Sequence, residues 1–201
     1  MKAFIEKFHS ETQRIELTCE SQPDYIDETT THLITDHCNS STTHLTKQIV
    51  QACVRHIFIA SIEWINSSLD QSIVLDQYPF EILRDTNSLP NTRGIKQCRF
   101  DHLPVFPSST IFSIECHSKS KSLPITREEL CQIIELSGAS LFDSSINCDT
   151  LIVLCNTKSE MLTRKKSREI PTSISSFFCK PQFLFDSIVR HEIQPIENYL
   201  W

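Results

Sequence analysis

Short apolar stretches separated by polar segments recur along the 201-residue chain, and their spacing predicts alternating strands and helices. His32–Thr35 is typical of a short buried strand. A Ser/Thr-rich loop then precedes a helix that opens with Thr46 and Lys47. The apolar run 57–60 predicts a second strand, which leads into a helix that carries Trp64. This strand-helix-strand-helix order indicates a parallel α/β unit.

The segment ahead of this unit also carries periodic apolar residues. Phe4, Ile5 and Phe8 lie on one side of a helix drawn through residues 1–13, which predicts an amphipathic helix. Alternating apolar residues in 14–19 predict a half-buried strand. A polar connector that contains a proline joins this strand to the central unit.

The second half of the chain repeats the same order. Thr126 and Glu129 have the spacing of a capping box and predict the start of a helix, and Gly138 predicts its end. The other elements predicted here are strands at 111–116, 139–142, 149–155 and 175–179 and a helix at 181–191.

The region between the two halves lacks periodicity. Residues 84–101 combine charged residues with Asn, Pro and Gly, which indicates a linker. A chain of this length can form two domains of about 100 residues, each able to bury its own core. We therefore predict a first repeat at 1–83, a linker at 84–107 and a second repeat at 108–201.

Composition then removes several function classes. Only two glycines are present, too few for a glycine-rich phosphate loop, and the net charge of -6 argues against a surface that binds nucleic acid as a whole. The nine cysteines include no CxxC pair, so we expect free thiols in a reducing compartment. No apolar run is long enough to cross a bilayer, and we expect no membrane partner.

Candidate catalytic and metal-ligating residues do not form a known constellation. His37, Cys38 and His44 lack zinc-ligand spacing. Cys116 and His117 are neighbours on a predicted strand, where successive side chains point to opposite faces and do not pair as nucleophile and base. We therefore expect no metal, no cofactor and no enzymatic activity.

Several motifs occur in a recognisable order. The first half contains IELT, IDETTTHLIT and IFIAS-x-EW, and the second half contains IFSIEC, ELSGAS and FLFDSIVRHEIQPIENYL. In this order and spacing the chain resembles the tandem BRCT family, modules of proteins that respond to DNA damage. The resemblance implies an α/β fold of two repeats, each a small parallel four-stranded sheet flanked by helices, which pack together through their helices.

Within that family, the motifs are most similar to BRCT pairs of RING-containing ubiquitin ligases, whose RING domain lies outside this chain. The resemblance implies a nuclear, non-catalytic module that binds phosphoserine peptides of the Ser-x-x-Phe type. Phosphate, as a doubly charged acceptor, suits a lysine at a helix N-terminus.

The family's binding residues are transferred position by position. Its phosphate-binding threonine and lysine correspond to Thr46 and Lys47, or the lysine falls on Gln48 when no gap is introduced. The position of its peptide-binding arginine falls on Leu45 or His44, which is a departure. The apolar pocket for the peptide corresponds to Leu45, Val50, Leu123, Ile125 and Phe185.

The start of the chain departs further from the family. Its first strand, which ends in Ser-Gly and contacts the phosphate, is either absent here or formed by residues 2–8, with Ser10 as the hydroxyl donor. An absent strand would leave a sheet edge that a second copy of the chain could cover, giving a homodimer.

One basic run interrupts the second repeat. Arg164, Lys165, Lys166 and Arg168 lie in a predicted connector and form either a solvated loop or a contact for DNA phosphate or an acidic chromatin surface. The alternative function is therefore a BRCT module that associates with protein, chromatin or itself without phosphate.

Overall fold

The computed structural model describes residues 26–36, 38–39, 41–116, 124–143, 148–167 and 174–201. The first half and the linker contain five strands and three helices in these ranges. They are β1 (His32–Thr35), β2 (Cys38–Asn39), β3 (Thr42–Thr43), α1 (Lys47–Val54), β4 (Phe58–Ser61), α2 (Glu63–Gln71), a 3-10 turn (Tyr78–Phe80), β5 (Arg84–Asp85) and α3 (Gly94–Phe100).

The second half contains four strands and three helices in its described residues. They are β6 (Ile111–Ile114), α4 (Arg127–Leu136), β7 (Ser140–Leu141), β8 (Thr150–Leu154), α5 (Lys158–Lys166), β9 (Ser175–Cys179), α6 (Gln182–Arg190) and a 3-10 turn (Ile196–Tyr199). These strands form one parallel sheet in the order β7-β6-β8-β9. The parallel four-stranded sheet predicted for this repeat is confirmed.

The first repeat pairs its strands in two smaller groups. Strands β1 and β4 are parallel, with His32 opposite Phe58 and Thr35 opposite Ser61. Strand β3 lies between β2, which is antiparallel to it, and β5, which is parallel to it. Three predictions lie outside the described residues. They are the amphipathic helix at 1–13, the strand at 14–19 and the alternative that residues 2–8 form the first strand with Ser10 as the hydroxyl donor.

Local sequence accounts for the start and end of α4. Thr126 accepts a hydrogen bond from the Glu129 N–H, and the Glu129 carboxylate accepts one from the Thr126 N–H, so the predicted capping box is present. Gly138 follows the helix with a φ of +96°, and a Cβ there would collide with Pro104 and with the Phe106 carbonyl. Glycine is needed at this position on both grounds.

The largest apolar core among the described residues extends through both repeats. Helix α1 packs against β1 and β4 of its own repeat and against α4 and α6 of the second repeat. Its residues 49–54 are all buried. Phe112 and Phe183 continue this core in the second repeat, and a smaller core that contains Met161 and Phe178 lies between α5 and the sheet. The two repeats therefore share a hydrophobic interface, as the fold prediction required.

Two predictions of irregular structure were wrong in detail. The linker predicted at 84–107 contains β5 and α3, and α3 packs against α6 because Ile95 and Cys98 are buried on its inner side. The basic run begins in the last turn of α5 and not in a connector. The limits of the repeats at 83 and 108 stay predictions.

In the described part of the chain, every helix falls short of the length and apolar character that membrane crossing demands.

Candidate phosphate and peptide site between the repeats

Thr46 and Lys47 lie at the start of α1, where the sequence predicted a helix. The Thr46 backbone is extended, and its side-chain oxygen accepts a hydrogen bond from the Ile49 N–H at 3.3 Å. Thr46 is thus the N-cap of α1. A hydroxyl that accepts in this way retains its own O–H as a donor.

Lys47 reaches across to the second repeat. Its Nζ lies 3.0 Å from Oε1 of Glu129, and the side chains are 10% and 22% exposed. The other carboxylate oxygen, Oε2, accepts the Thr126 N–H at 2.8 Å. Burial by itself raises the pKa of Glu129, but the hydrogen bonds from Thr126 and Lys47 lower it below its ordinary value. Glu129 is therefore an anion shared by two repeats.

Gln51 adds a second contact from α1 to the same carboxylate. Its Nε2 donates to Oε1 of Glu129 at 3.5 Å, and the residue is only 6% exposed. In the described part of the chain, Oε1 of Gln51 has no hydrogen-bond partner. A buried acceptor of this kind is satisfied by a donor from water or from a ligand.

Helices α1 and α4 both begin beside the Lys47–Glu129 pair. Helix N-termini carry partial positive charge and unpaired N–H groups, which stabilise anions. In this structure the anion at the two N-termini is the carboxylate of Glu129. Sequence reasoning identified Glu129 only as a cap, because its contact with Lys47 joins residues 82 positions apart.

Four of the predicted peptide-pocket residues lie in or against the shared core, at different depths. Val50 and Phe185 are buried in the shared core, whereas Leu45 and Ile125 are half-buried against it. Leu123 lies outside the described residues. Of these four residues, Leu45 and Ile125 are the two with accessible apolar surface. Gln48, the alternative phosphate residue, is half-buried on α1.

No protein-family model and no curated protein matches the sequence. A solved complex of Rtt107p with a phosphorylated histone aligns with a TM-score of 0.60 and 13% identity, over 89% of this chain and 79% of the other. A second Rtt107p structure gives a TM-score of 0.57 with the same identity and coverage. These neighbours are tandem BRCT domains.

This chain has the tandem BRCT fold. The BRCT5–BRCT6 domains of Brc1 from S. pombe also align, with a TM-score of 0.49 and 17% identity over 82% of this chain and 79% of the other. At such identities the likeness shows the fold and not the ligand.

A cavity of about 290 Å³ in the first BRCT repeat is unsuited to phosphate. It lies at the carboxyl ends of β1 and β4, where parallel sheets commonly bind ligands. Two carboxylates line it, which oppose an anion. The lining residues are Asp36, Ser41, Ser61, Ile62, Glu63, Pro79 and Phe80.

The basic run of the second BRCT repeat is partly occupied by contacts within the fold. Arg164 lies 3.2 Å from a carboxylate oxygen of Glu115, and the Lys165 ammonium lies 4.9 Å from the ring centroid of Phe178. Lys166 is exposed. Arg168 lies outside the described residues. Lys165 and Lys166 thus remain on the surface at the end of α5.

Proposed function

We propose that this tandem BRCT chain binds phosphoserine peptides at the junction of its repeats and recruits partners in the DNA-damage response. BRCT modules are generally non-catalytic binding domains. The observation that supports the proposal most directly is the position of Lys47, a cation at the first residue of α1 beside the start of α4.

The phosphate would compete with Glu129 for Lys47. A phosphoserine carries about -1.5 to -2 charges at neutral pH and accepts hydrogen bonds from several directions. It would accept from Lys47 and from the hydroxyl of Thr46, while Glu129 turned toward solvent. Because carboxylate and phosphate repel each other, Glu129 would weaken binding.

The remainder of the peptide would lie along the junction. Leu45 and Ile125 offer half-buried apolar surface for an aromatic residue three positions after the phosphoserine, and Leu123 is a further proposed contact. The complex of Rtt107p with a phosphorylated histone supports a phosphorylated protein segment as the partner.

Isothermal titration with a phosphorylated Ser-x-x-Phe peptide and its unphosphorylated twin tests the proposal. We expect Lys47→Ala to weaken binding of the phosphopeptide about tenfold or more, because a charge-assisted hydrogen bond is lost. Glu129→Gln retains the capping geometry but removes the competing charge, and should tighten binding about two- to fivefold.

Lys158→Ala is the matched control. Lys158 occupies the first position of α5 behind the N-cap Thr157, as Lys47 does behind Thr46, but lies away from the junction. It should leave the affinity unchanged. Equal affinity for both peptides, or equal effects of the two lysine substitutions, would contradict phosphate recognition at Lys47.

A second candidate function is association without phosphate. The Lys47–Glu129 ion pair favours it, because Glu129 already neutralises the positive charge of Lys47 that would bind the phosphate. Leu45 or His44 at the position of the family's arginine favours it too. We would then expect equal peptide affinities, and either self-association in sedimentation velocity or salt-dependent binding of DNA or chromatin through Lys165, Lys166 and Arg168.

We also infer a nuclear location, from the roles of tandem BRCT proteins in DNA repair. The similarity of the motifs to the BRCT pair of the breast cancer type 1 susceptibility protein, and an association with a RING ubiquitin ligase, stay predictions. Co-purification of a RING protein with the full-length protein would support that association.

A further inference from the structure

One serine lies within the basic run of the second repeat. Ser167 follows Arg164, Lys165 and Lys166 directly, and it is the only serine or threonine in the chain with an arginine three positions before it. Basophilic serine kinases recognise such a charge pattern, because acidic residues of the kinase pair with cations on the N-terminal side of the target serine. The sequence around Ser167 therefore suits a kinase of this class.

The position of Ser167 in the fold makes its hydroxyl accessible. Ser167 is the C-cap of α5 and is exposed, as are Lys165 and Lys166. Its hydroxyl donates to the carbonyl oxygen of Arg164 at 2.8 Å, and its N–H donates to the carbonyl oxygens of Thr163 and Arg164. Because these contacts belong to a solvated helix end, water can replace them. The Ser167 Oγ is therefore within reach of an enzyme once the last turn of α5 opens.

The arginine that such a kinase would recognise is held within the fold. Arg164 lies 3.2 Å from a carboxylate oxygen of Glu115, and its side chain is 12% exposed. An acidic residue of the kinase can pair with this guanidinium only after it has left Glu115. The ion pair between Arg164 and Glu115 therefore opposes recognition of Ser167.

Helix α5 buries little of its surface against the second repeat. Met161 is its only buried residue. The contacts of its last turn include the ion pair with Glu115 and the Lys165 ammonium, which lies 4.9 Å from the ring centroid of Phe178. A helix end with little buried apolar surface opens at a low cost in free energy. The last turn of α5 can therefore unwind while Met161 stays packed in the core.

We propose that Ser167 is phosphorylated by a basophilic serine kinase, with Arg164 as the recognised cation, and that the phosphate unwinds the last turn of α5. In the reaction the Ser167 Oγ attacks the γ-phosphorus of ATP, and the bond from that phosphorus to the ADP oxygen breaks. The hydroxyl proton passes to the catalytic carboxylate of the kinase, so serine and ATP yield phosphoserine, ADP and one proton. This proposal does not depend on phosphopeptide binding at the junction of the repeats.

The phosphate would change the end of α5 in two ways. It replaces the Oγ–H donor of Ser167 with acceptor oxygens, so the hydrogen bond to the Arg164 carbonyl oxygen is lost. It also brings about -1.5 to -2 charges to a helix C-terminus, where the carbonyl groups already carry partial negative charge. Attraction to Lys165 and Lys166 offsets part of this repulsion but does not restore the hydrogen bond. We therefore expect an open last turn and a basic run of lower positive charge.

Treatment of the whole chain with ATP, Mg²⁺ and the catalytic subunit of cyclic-AMP-dependent protein kinase, a basophilic kinase, tests the proposal. We expect tandem mass spectrometry to locate a phosphate at Ser167, and Ser167→Ala to remove it. Amide hydrogen exchange before and after phosphorylation tests the effect on the helix. Exchange should become faster in residues 163–167 and stay unchanged in β8, because only the end of α5 opens.

Two variants of one ion pair separate recognition of the arginine from access to the serine. Arg164→Ala removes the recognised cation and should slow phosphorylation of Ser167 about tenfold or more. Glu115→Gln releases Arg164 from its partner and should speed phosphorylation about two- to fivefold. Because both variants break the same ion pair, opposite effects on the rate cannot come from a loosened helix alone. Lys158→Ala, at the exposed start of α5, is the control and should leave the rate unchanged.

Three outcomes would overturn the proposal. The first is an unmodified Ser167 under conditions in which the same kinase phosphorylates a reference peptide. The second is an equal rate of phosphorylation for Arg164→Ala and the wild-type chain. The third is hydrogen exchange at the end of α5 that phosphorylation leaves unchanged.

Discussion

Helices α1 and α5 begin with similar residues, but α1 is largely buried and α5 is largely exposed. Each has a threonine N-cap followed by lysine, Thr46-Lys47 in α1 and Thr157-Lys158 in α5. In α1 residues 49–54 are all buried, whereas in α5 only Met161 is. Helix α1 lies between two repeats and α5 covers one face of one sheet. Similar helix starts therefore carry no information about which helix forms the interface.

This difference in burial indicates which part of the molecule contributes most to the stability of the whole chain. The core around α1 includes side chains from both repeats and from the linker helix, so a change there disturbs every element that meets it. The core beneath α5 belongs to the second repeat alone. We therefore expect substitutions at the junction to destabilise the whole chain, and matched substitutions on the outer face to have smaller effects.

The largest difference is expected between two phenylalanines of the second repeat. Phe185→Ala, at a 3% exposed position in the shared core, should lower the free energy of unfolding by about 3–5 kcal/mol. Phe177→Ala, on β9 at a 39% exposed position, should cost about 1 kcal/mol or less. Chemical denaturation followed by fluorescence measures both. Similar losses would mean that the core at the junction contributes no more to the free energy of unfolding than the outer face does.

Two glutamates that form ion pairs give the next comparison. The Glu81 carboxylate is 2% exposed and contacts Arg99 at 2.7 Å and Lys96 at 3.2 Å, both on α3. Glu81→Gln leaves these cations without their anion and should cost about 3 kcal/mol.

Glu115→Gln is the control for that change, because Glu115 pairs with Arg164 on the outer helix and is more accessible to water. It should cost about 1 kcal/mol. Thermal unfolding of the two variants under one buffer condition compares them. A larger loss for Glu115→Gln would reverse the proposed ranking of the two regions.

Removal of a helix cap should have the smallest effect on stability, and this effect should be similar in the two regions. Thr126→Ala in α4 and Thr157→Ala in α5 each remove the acceptor for a backbone N–H within a capping box. Each should cost about 1 kcal/mol, since a cap acts on its own helix wherever that helix packs. Chemical denaturation gives the free energy of unfolding of each variant. Losses that differ between the two variants by much more than about 1 kcal/mol would show that capping at the interface is coupled to repeat packing.

Prediction from the sequence succeeded where apolar residues are regular. Strands β6, β8 and β9 were predicted from apolar runs, and the start of α4 was predicted from Thr126 and Glu129. Helix α5 was missed because a helix with one buried residue has no apolar period. Thr157 and Glu160 nevertheless have capping-box spacing, and this signal would have identified its start.

Helix α3 was missed for a related reason. It has seven residues, and only Ile95 and Cys98 supply an inward apolar pattern beyond Gly94. Two apolar positions at a spacing of three do not distinguish a short helix from a loop. Its contacts with α6 and the ion pairs of Glu81 stabilise it, and none of these is visible as a local pattern.

Local patterns in the sequence predicted strands β6, β8 and β9, the repetition of a parallel α/β unit and the helix start at Lys47, because each of these depends on residues that are close together along the chain. Tertiary packing was needed to bring Lys47 to Glu129 and to make α1 the interface that both repeats share. Those contacts join residues that are distant along the chain. They exist because burying α1 against α4 and α6 removes more apolar surface from water than either repeat could bury alone.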